Sequence, residues 1–583
     1  MHGGRTAFWV NGEIIEDEGA AAAAGPARSS LLKFGWLLDP RPKPKDDAAN
    51  KAMVEKLTAL GECMNDPTTC GQQAVKKQRD ESDIPAGYTY LGQFIAHEIT
   101  FDDSNDTLKP GIDPNNLRTP QIDLDSLYGG ELGPHDPDYE HLYEDDGVRL
   151  RVGSTSSVIP PGDPFPNDLP RFAHGGKLPR DEKLLREGER NPKTALIADE
   201  RNDENLAVAQ TQVAFIRFHN RVVEQLKAEG HHADGLFESA RRAVVQHFQW
   251  LILHDYLPLL VDKVVLQRVR DEGAKWFEEK ALRDGRPTMP LEFSAAAFRI
   301  GHTMVRASYN WNKYHATGSI FDDTPASVIK LFELTGFRGP RGDQFDPSVD
   351  GFSTGSDKPE GVKALLTLPS DWIIDWRRFY EFPQAADAPP QPCVNKASKL
   401  DTTLNFQLDK LEGFPHAKTD AAQKFIKAIT ARNLLRGHFL GLPTGEQVAE
   451  KLEKERRPGE ELKLLKPEQL VEGPHEALLS DPLLSGQTPL WYYVLKEAEV
   501  LGKGKDGTGG HRLGPVGSRI VAETFVGLIK HSQHSILKDP GWTPRFGRPA
   551  QGGKPAKFEM TDLLRFAFGD DVDGENSVNP VGL

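Results

Sequence analysis

The chain has 583 residues, of which 38% are hydrophobic and 27% are charged, a composition typical of a globular protein. No apolar run approaches the roughly 20 residues that a membrane-spanning helix requires, so we expect no membrane span. The formal charge of -15 and the pI near 5.7 argue against a nucleic-acid partner, because such partners bind basic surfaces. Small or neutral substrates are therefore expected.

The N-terminal residues show no cationic start followed by an apolar core and a small-residue cleavage site. A cytoplasmic location is therefore the default expectation, and secretion by a non-standard route stays open. The three cysteines, Cys63, Cys70 and Cys393, are too few for a disulfide framework or a four-thiolate metal site. A disulfide between Cys63 and Cys70 is the alternative, but we expect both cysteines to be reduced.

Two regions of the chain lack periodicity. Residues 1–50 contain an alanine run and a Pro/Lys-rich stretch, which indicate an extended N-terminal arm. Pro, Gly and Asp dominate from about residue 105 to 200 and again from about 338 to 420, and these compositions predict long loops. Long loops of this kind are often functional.

Apolar residues recur at helical spacing in four segments between the loops. The first is expected to begin at a cap and an early proline in 82–85, and the second runs from about Asn202 to Gly230. The third begins after Pro290, and the fourth runs from about 419 to 437. Because alternating strand patterns are scarce, the predicted fold is mainly α, with long irregular loops and little β.

Several polar side chains fall on these helices. Gln93 and His97 are four residues apart, so they project from one helix face. Arg201 and Glu204 lie three apart at a helix entrance, where a solvated ion pair is the usual explanation. Taken singly, each of these residues is more typical of a structural role than of a catalytic one.

The third and fourth helices carry two further candidates. His302 follows Gly301 and a run of small residues, which lets a flat group or another helix approach the backbone closely. Asn433 shares a helical stripe with Ile426 and Ile429, so its amide is expected to be buried and to need a hydrogen-bond partner.

Taken together, these segments resemble the animal-type haem peroxidases of the peroxidase-cyclooxygenase superfamily. The match lies in the order and spacing of five stretches: 91–98, 199–205 with 218–221, 299–303, 433–443 and 514–523. It covers roughly residues 80 to 570. The resemblance implies one large helical haem peroxidase domain, which we place at residues 51–583 after an arm at residues 1–50.

The resemblance also implies roles for the candidate residues. His97 would be the distal acid and base near its usual pKa of about 6.5, and Gln93 would mark the approach of a halide. Arg201 would stabilise charge as the O–O bond of hydrogen peroxide breaks. His302 would be the axial iron ligand, with its second ring nitrogen donating to the side-chain oxygen of Asn433.

The haem itself would be haem b, with Arg436 meeting a propionate. Family members often attach haem through an aspartate before the distal histidine and a glutamate beyond the arginine. Here the first position is Ala96, which cannot form an ester, and the second is Glu204. Asn205 stands where a sulfonium link would need methionine. We therefore expect at most one covalent attachment, through Glu204.

The resemblance further implies a calcium ion in the loop that follows the distal helix. The expected ligands are the side chains of Thr119, Asp123 and Asp125, the backbone carbonyl of Gln121, and Glu98. Such an oxygen-rich set suits a cation that prefers six to eight oxygen ligands. Glu98 departs from the family pattern, which has the shorter aspartate there.

The expected activity is reduction of hydrogen peroxide with oxidation of a small donor, such as a phenol, an aromatic amine, a halide or thiocyanate. One alternative is a fatty-acid dioxygenase of the cyclooxygenase type, which uses a tyrosine three residues before the proximal histidine. That position is Arg299 here, and Tyr309 is no substitute by spacing. A second alternative is a haem-binding sensor or carrier without turnover.

Overall fold

The computed structural model of the chain describes residues 7–10, 13–16, 32–45, 47–71, 80–102, 114–156, 166–171, 194–232, 235–320, 323–336, 367–383, 391–404, 428–546, 557–569 and 577–581. In these ranges the α-helices are α1 Ala48–Asn65, α2 Gly87–Ile99, α3 Asp125–Tyr128, α4 Leu206–Ala228, α5 Leu236–Leu251, α6 Leu257–Leu260, α7 Lys263–Glu272, α8 Lys275–Lys280, α9 Gly301–Met304, α10 Val328–Glu333, α11 Ile429–Leu440, α12 Gly445–Lys454, α13 Pro467–Val471, α14 Glu476–Leu479, α15 Leu490–Leu501, α16 Pro515–His531 and α17 Met560–Phe568.

The strands are short and pair two by two in antiparallel fashion. The pairs are β1 Ala7–Val10 with β2 Glu13–Glu16, β3 Leu32–Lys33 with β5 Asn115–Asn116, β4 Glu81–Pro85 with β10 Lys396–Ser398, β6 Leu282–Arg283 with β7 Arg286–Pro287, and β8 Ser308–Tyr309 with β9 Ala326–Ser327. The prediction of a mainly α fold is confirmed.

The first predicted helix begins later than expected. Residues 82–85, taken as a helix cap, belong to β4, because the backbone there pairs with β10. The helix α2 starts at Gly87, where a Cβ would collide with the ring of Tyr380. Glycine is therefore required for the close packing of this helix start.

The other helix predictions are right in type and shifted in extent. Helix α4 begins after Asn205, whose side chain caps Val208 N at 3.0 Å, and not at Asn202. The third segment is not one helix: a π-helical turn at Phe293–Ala297 is followed by the short α9. Residues 419–427 of the fourth segment lie outside the described residues, and α11 starts at Ile429.

One buried hydrophobic cluster extends through the described chain from Phe34 to Val581. In it α2 packs against α4 and against α9. Helix α11 packs against α1, where a Cβ on Gly61 would collide with the backbone of Ala431. The hydroxyl of Thr430 donates to the Gly61 carbonyl at 2.6 Å. These contacts bring the four predicted segments around one interior region.

Part of the N-terminal arm is tied to the chain ahead of α9. Gly35 N donates to Met289 O at 2.8 Å, and the buried carboxylate of Glu292 accepts from Leu37 N at 3.0 Å and from Leu38 N at 2.8 Å. We call residues 35–38 the strap. The alanine run of the arm lies outside the described residues.

Cys63 and Cys70 form a disulfide, with their Cα atoms 5.6 Å apart. The expectation that they are reduced is therefore wrong for this structure. The turn after α1 brings the two residues together. Cys393 is free and exposed.

The predicted long loops are described in part. The range 114–156 contains β5, α3 and two short 3-10 turns, which agrees with an irregular region. The Pro-rich stretch at 160–166 falls, except for its last residue, outside the described residues, as does most of 338–420. In the part of the chain that the structure describes, no helix combines the length and apolarity that membrane crossing demands.

Candidate active site

The predicted distal residues Gln93 and His97 lie on α2, and the His97 side chain is buried. His97 Nδ1 lies 2.9 Å from Oδ1 of Asn202, and Asn202 Nδ2 donates to Gln212 Oε1 at 3.0 Å. Because Asn202 turns its nitrogen toward Gln212, its oxygen faces the imidazole and accepts the Nδ1 hydrogen. His97 is thus held as the neutral Nδ1–H tautomer, with its lone pair on Nε2.

The imidazole of His97 stays neutral over a wide pH range. Burial, and after it the positive charge of Arg201, lower the pKa of His97 from 6.5 to about 3. The carboxylates of Asp199 and Glu204 oppose this shift without cancelling it. The usual pKa of about 6.5 is thus not retained by this histidine, because burial disfavours the imidazolium form.

Gln93 is held at both ends of its side-chain amide. Its Nε2 donates to Oε2 of Glu204 at 3.1 Å, and its Oε1 accepts from Nδ2 of Asn205 at 2.9 Å. Both partners lie at the entrance of α4, directly after the turn that carries Arg201. The amide therefore has one fixed orientation one helical turn from His97.

Arg201 is fully buried and binds the C-terminal end of α2. Its guanidinium donates to the backbone carbonyl of His97 at 2.8 Å and to that of Thr100 at 2.7 Å. Asp199 accepts two more hydrogen bonds, at 2.9 and 2.6 Å, and the ring of Phe101 lies 4.2 Å from the guanidinium carbon. Arg201 thus fixes the helix end that carries His97. Its predicted action on peroxide stays a prediction.

His302 lies on α9, and burial together with the charge of Arg299 lowers its pKa well below 6.5. Its Nδ1 is 3.4 Å from Nδ2 of Asn433, while Oδ1 of Asn433 accepts from the Arg299 guanidinium at 3.0 Å. The predicted bond from His302 to the amide oxygen is therefore not formed here. The cationic guanidinium is the stronger donor and takes that oxygen.

Arg436 forms an ion pair with Asp102, three residues beyond the end of α2. The sequence predicts that this arginine binds a haem propionate. In the structure it binds a carboxylate of the protein instead. The pair joins α11 to the segment after the distal helix. It shows that the guanidinium reaches a carboxylate on the distal side of the chain.

Three carboxylates of the predicted calcium loop cluster with one another. One oxygen each of Glu98, Asp123 and Asp125 lie within 4.8 Å of each other, and Thr119 Oγ1 lies 3.2 Å from Asp123 and 3.1 Å from Asp125. The side chain of Gln121 instead accepts from the backbone at residue 533, at 3.3 Å. The structure thus brings four of the five predicted ligands together by their side chains.

The charge of this cluster is poorly compensated. Burial, followed by the charges of Asp125 and Asp123, raises the pKa of Glu98 well above 4.5, and burial raises the pKa of Asp123 to about 6. Arg118 lies beside Asp125 at 3.4 Å but is shared with Asp199 at 2.6 Å. A divalent cation would relieve this repulsion, so the donor set fits calcium.

Glu98 also has a structural function at the loop. Its carboxylate accepts hydrogen bonds from the backbone of Asp123 at 3.1 Å, from the backbone of Leu124, and from the backbone and hydroxyl of Ser126 at 3.0 and 2.7 Å. These bonds tie the start of α3 to α2 beside His97. The longer glutamate side chain reaches amides that an aspartate would not.

The sequence model of the family described as animal haem peroxidase matches residues 112–333, which include both Arg201 and His302. This part of the chain is therefore similar to the animal haem peroxidases. It is 28% identical over 196 residues to the Caenorhabditis elegans peroxidasin homolog pxn-2, covering 33% of this chain and 14% of that protein. It is 31% identical over 122 residues to human thyroid peroxidase, covering 20% and 12%. The matched region thus spans less than a fifth of these curated relatives.

The comparison with solved structures found two further similar chains. Peroxidase A from Dictyostelium discoideum has a TM-score of 0.48 and 14% identity, with 87% of this chain and 88% of that chain covered. The fatty acid alpha-dioxygenase of Oryza sativa has a TM-score of 0.49 and 12% identity, with 87% and 76% covered. These scores are too low to carry an argument about the fold or the reaction.

The residues present fit the haem group that the family implies. His302 is half-buried and its low pKa keeps the imidazole neutral, so it can supply an axial nitrogen once the Asn433 amide turns its oxygen toward Nδ1. Beside it, a Cβ on Gly301 would meet no atom within 4 Å, so there is open space next to this backbone. Arg436 supplies a guanidinium suited to a propionate.

Several residues of this candidate site were not among the predictions. Asn202 directly follows Arg201 and Asn205 directly follows Glu204. This adjacency to two predicted site residues was the sequence signal that could have identified them. Gln212, which orients Asn202, carries no sequence signal, because its role depends on how α4 packs on α2. The pairing of Arg299 with Asn433 was likewise invisible, since the two residues are 134 positions apart.

Proposed function

We propose that the protein is a haem b peroxidase that reduces hydrogen peroxide and oxidises a small electron donor. The observation that carries this proposal is the hydrogen-bond chain from Gln212 through Asn202 to His97, which leaves a neutral imidazole with its lone pair on Nε2. That is the form in which a distal histidine accepts the proton of peroxide. When bound, the haem supplies the redox chemistry.

The distal side chains then have distinct tasks. His97 Nε2 takes the proton from the near oxygen of hydrogen peroxide and returns it to the far oxygen, which leaves as water. Asn202 keeps the other ring nitrogen protonated throughout. Arg201 holds the end of α2 in place and adds positive charge where the leaving oxygen becomes negative. Gln93, fixed by Glu204, orients a donor or halide.

The proximal side chains hold the cofactor. His302 would give the iron its axial nitrogen, and Asn433 would bind its second ring nitrogen. Arg436 would bind a propionate in place of, or together with, Asp102. Glu204 is the one residue available for a covalent ester, since Ala96 offers no carboxylate.

Calcium is proposed for the cluster of Glu98, Asp123 and Asp125, with Thr119 and the carbonyl of Gln121 completing the ligands. Its function would be to hold the loop against the distal helix. The donor is proposed to be a phenol, an aromatic amine, a halide or thiocyanate.

The rival activity is fatty-acid dioxygenation. It needs an oxidisable phenol close to the proximal histidine, and residue 299 is instead an arginine that donates to Ser294 O at 2.9 Å and to Asn433. A guanidinium cannot form the required radical. Oxygen uptake with linoleate in the absence of peroxide would favour the rival over the peroxidase.

The deciding experiment is stopped-flow spectroscopy of haem-loaded protein mixed with hydrogen peroxide. We expect a rapid change of the Soret band, followed by its return when iodide, thiocyanate or a phenol is added. A Soret band that does not respond to peroxide would contradict the proposal and favour a haem carrier or sensor.

A further inference from the structure

A buried tyrosine and a buried aspartate form a close pair behind the distal helix. The phenol of Tyr88, on α2, donates to Oδ1 of Asp255 at 2.7 Å, and Oδ2 of Asp255 accepts from Met560 N at 2.8 Å. The Tyr88 and Asp255 side chains are less than a tenth exposed. Neither residue belongs to the site described above.

The environment makes the carboxylate of Asp255 a proton acceptor. Burial raises its pKa from 3.8 to about 7, although the hydrogen bonds from Tyr88 and from Met560 N act in the opposite direction. The neighbouring carboxylates of Glu559 and Asp562 raise it slightly further. Burial and the charge of Asp255 raise the pKa of Tyr88 well above 10. The pair therefore holds one negative charge in a region where neutralising it is favourable.

Aromatic contacts connect this pair to both sides of the proposed haem site. Tyr256, next to Asp255, lies against the backbone of Gly92, where a Cβ would collide with its hydroxyl, and Gly92 directly precedes Gln93. On its other side, the ring of Tyr256 lies 6.2 Å from that of Phe298, four residues before His302. Tyr256 thus contacts both the distal segment at Gly92 and the proximal segment at Phe298, and it directly follows Asp255 in the chain.

We infer that Tyr88 and Asp255 form a second redox centre that stores one oxidising equivalent away from the haem. The inference rests on the proposed function, because haem oxidised by peroxide is the oxidant. Tyr88 loses one electron to the oxidised haem, its O–H bond breaks, and the proton forms an O–H bond on Oδ1 of Asp255. The products are a neutral tyrosyl radical and a neutral carboxylic acid, so the buried charge disappears as the electron leaves.

The neighbouring tyrosines lack such an acceptor. The ring of Tyr380 lies 5.1 Å from that of Tyr88, but in the described part of the chain its buried hydroxyl has no hydrogen-bond partner. Tyr90 bonds to the neutral phenol of Tyr309. Because a phenol is hard to oxidise when its proton has nowhere to go, the radical resides on Tyr88.

The test is electron paramagnetic resonance of haem-loaded protein, frozen after mixing with one equivalent of hydrogen peroxide and no donor. We expect an organic radical signal that ring-deuterated tyrosine narrows and that Tyr88→Phe abolishes. Asp255→Asn should weaken it about tenfold, since an amide accepts the hydrogen bond but not the proton. Tyr143→Phe is the matched control, because that buried phenol donates to a backbone carbonyl at 2.8 Å, and it should leave the signal unchanged.

An infrared difference spectrum of the unsubstituted protein gives an independent readout if a variant fails to fold. A protonated-carboxyl band should appear together with the radical. If the Soret band responds to peroxide but no carboxyl band appears, and the signal persists in Tyr88→Phe, the inference is wrong and the proposed peroxidase stands. If the Soret band does not respond, the proposed function fails and the inference with it.

Discussion

The tautomer of His97 is set by the side-chain amide of Asn202, which does not itself take part in the reaction. Asn202 presents an oxygen to Nδ1 because Gln212 takes its nitrogen, so the protonation state of the imidazole is set from the neighbouring helix α4. Burial holds the pKa of the ring at about 3, so the imidazole is neutral near neutral pH. The hydrogen-bond chain places the hydrogen on Nδ1 and leaves the lone pair on Nε2.

We expect His97→Ala to slow the reaction with hydrogen peroxide by roughly 100- to 10,000-fold, the usual contribution of a general base, while haem stays bound. Asn202→Ala should slow it less, by about tenfold, because the ring remains but its tautomer is no longer fixed. Second-order rate constants from stopped-flow traces give both numbers. An unchanged rate in His97→Ala would refute the distal assignment.

Haem attachment is a second property decided by single residues. With Ala96 at one position and Glu204 at the other, acid extraction of haem should leave at most the fraction bound through one ester. Glu204→Gln should make all of the haem extractable. Haem held through two bonds after extraction, or retained in Glu204→Gln, would contradict the assignment.

At the scale of elements, the sequence predicted helix type better than helix extent. Helix α4 carries an apolar stripe and its own cap, Asn205, so local information suffices there. The segment before His302 has the same kind of stripe but is broken after the π-helical turn, where the side chain of Arg299 donates to Ser294 O. Strand β4 was missed because its partner β10 lies more than 300 residues away.

The strap is an element whose stability should depend on pH. Burial raises the pKa of Glu292 from 4.5 to about 7, so between these values the folded chain binds a proton more tightly than the unfolded chain. The contribution of Glu292 to stability is therefore present below pH 4.5 and falls as the pH rises to 7, by roughly 3 kcal/mol at most.

Glu292→Gln removes this titration and should gain stability relative to the unsubstituted chain when the pH is raised from 5 to 8. Urea unfolding at both pH values measures the difference. Exposed Glu279→Gln is the control and should show no such gain. Equal pH dependence of the unsubstituted chain and Glu292→Gln would show that Glu292 does not titrate in this range.

At the scale of the whole molecule, the mainly α architecture was predictable, because apolar periodicity is local. The similarity to animal haem peroxidases over residues 112–333 was predictable too, because motifs are local. Features that depend on long-range packing were not predictable, namely the orientation of Asn433 and the ion pair of Arg436 with Asp102. The Cys63–Cys70 disulfide was missed for a local reason, since it depends on the geometry of the turn after α1. The calcium cluster was an intermediate case. Its side chains alternate in a short loop, yet the hydrogen bonds of Glu98 to that loop appear in the structure alone.

Calcium should stabilise the whole fold, since the loop it would occupy is joined to α2 through Glu98 and to α16, whose C-cap Ser532 accepts a bond from Ile122 N at 3.0 Å. An ion that binds the folded chain alone, at 100 times its dissociation constant, adds about 2.7 kcal/mol. Removal of calcium by a chelator should therefore lower Tm. Glu98→Gln should lower Tm by itself, and a chelator should then have no further effect. The exposed Glu131→Gln variant is the control, and a chelator should still lower its Tm.

The ion pair of Arg436 with Asp102 joins residues 334 positions apart, and the amide that contacts His302 comes from the same helix as Arg436. During synthesis, the N-terminal half of the chain emerges with its distal helix complete but without these partners. The residues proposed to hold haem are first brought together when α11 has left the ribosome. Under the proposed function, capture of haem would therefore follow the synthesis of most of the chain.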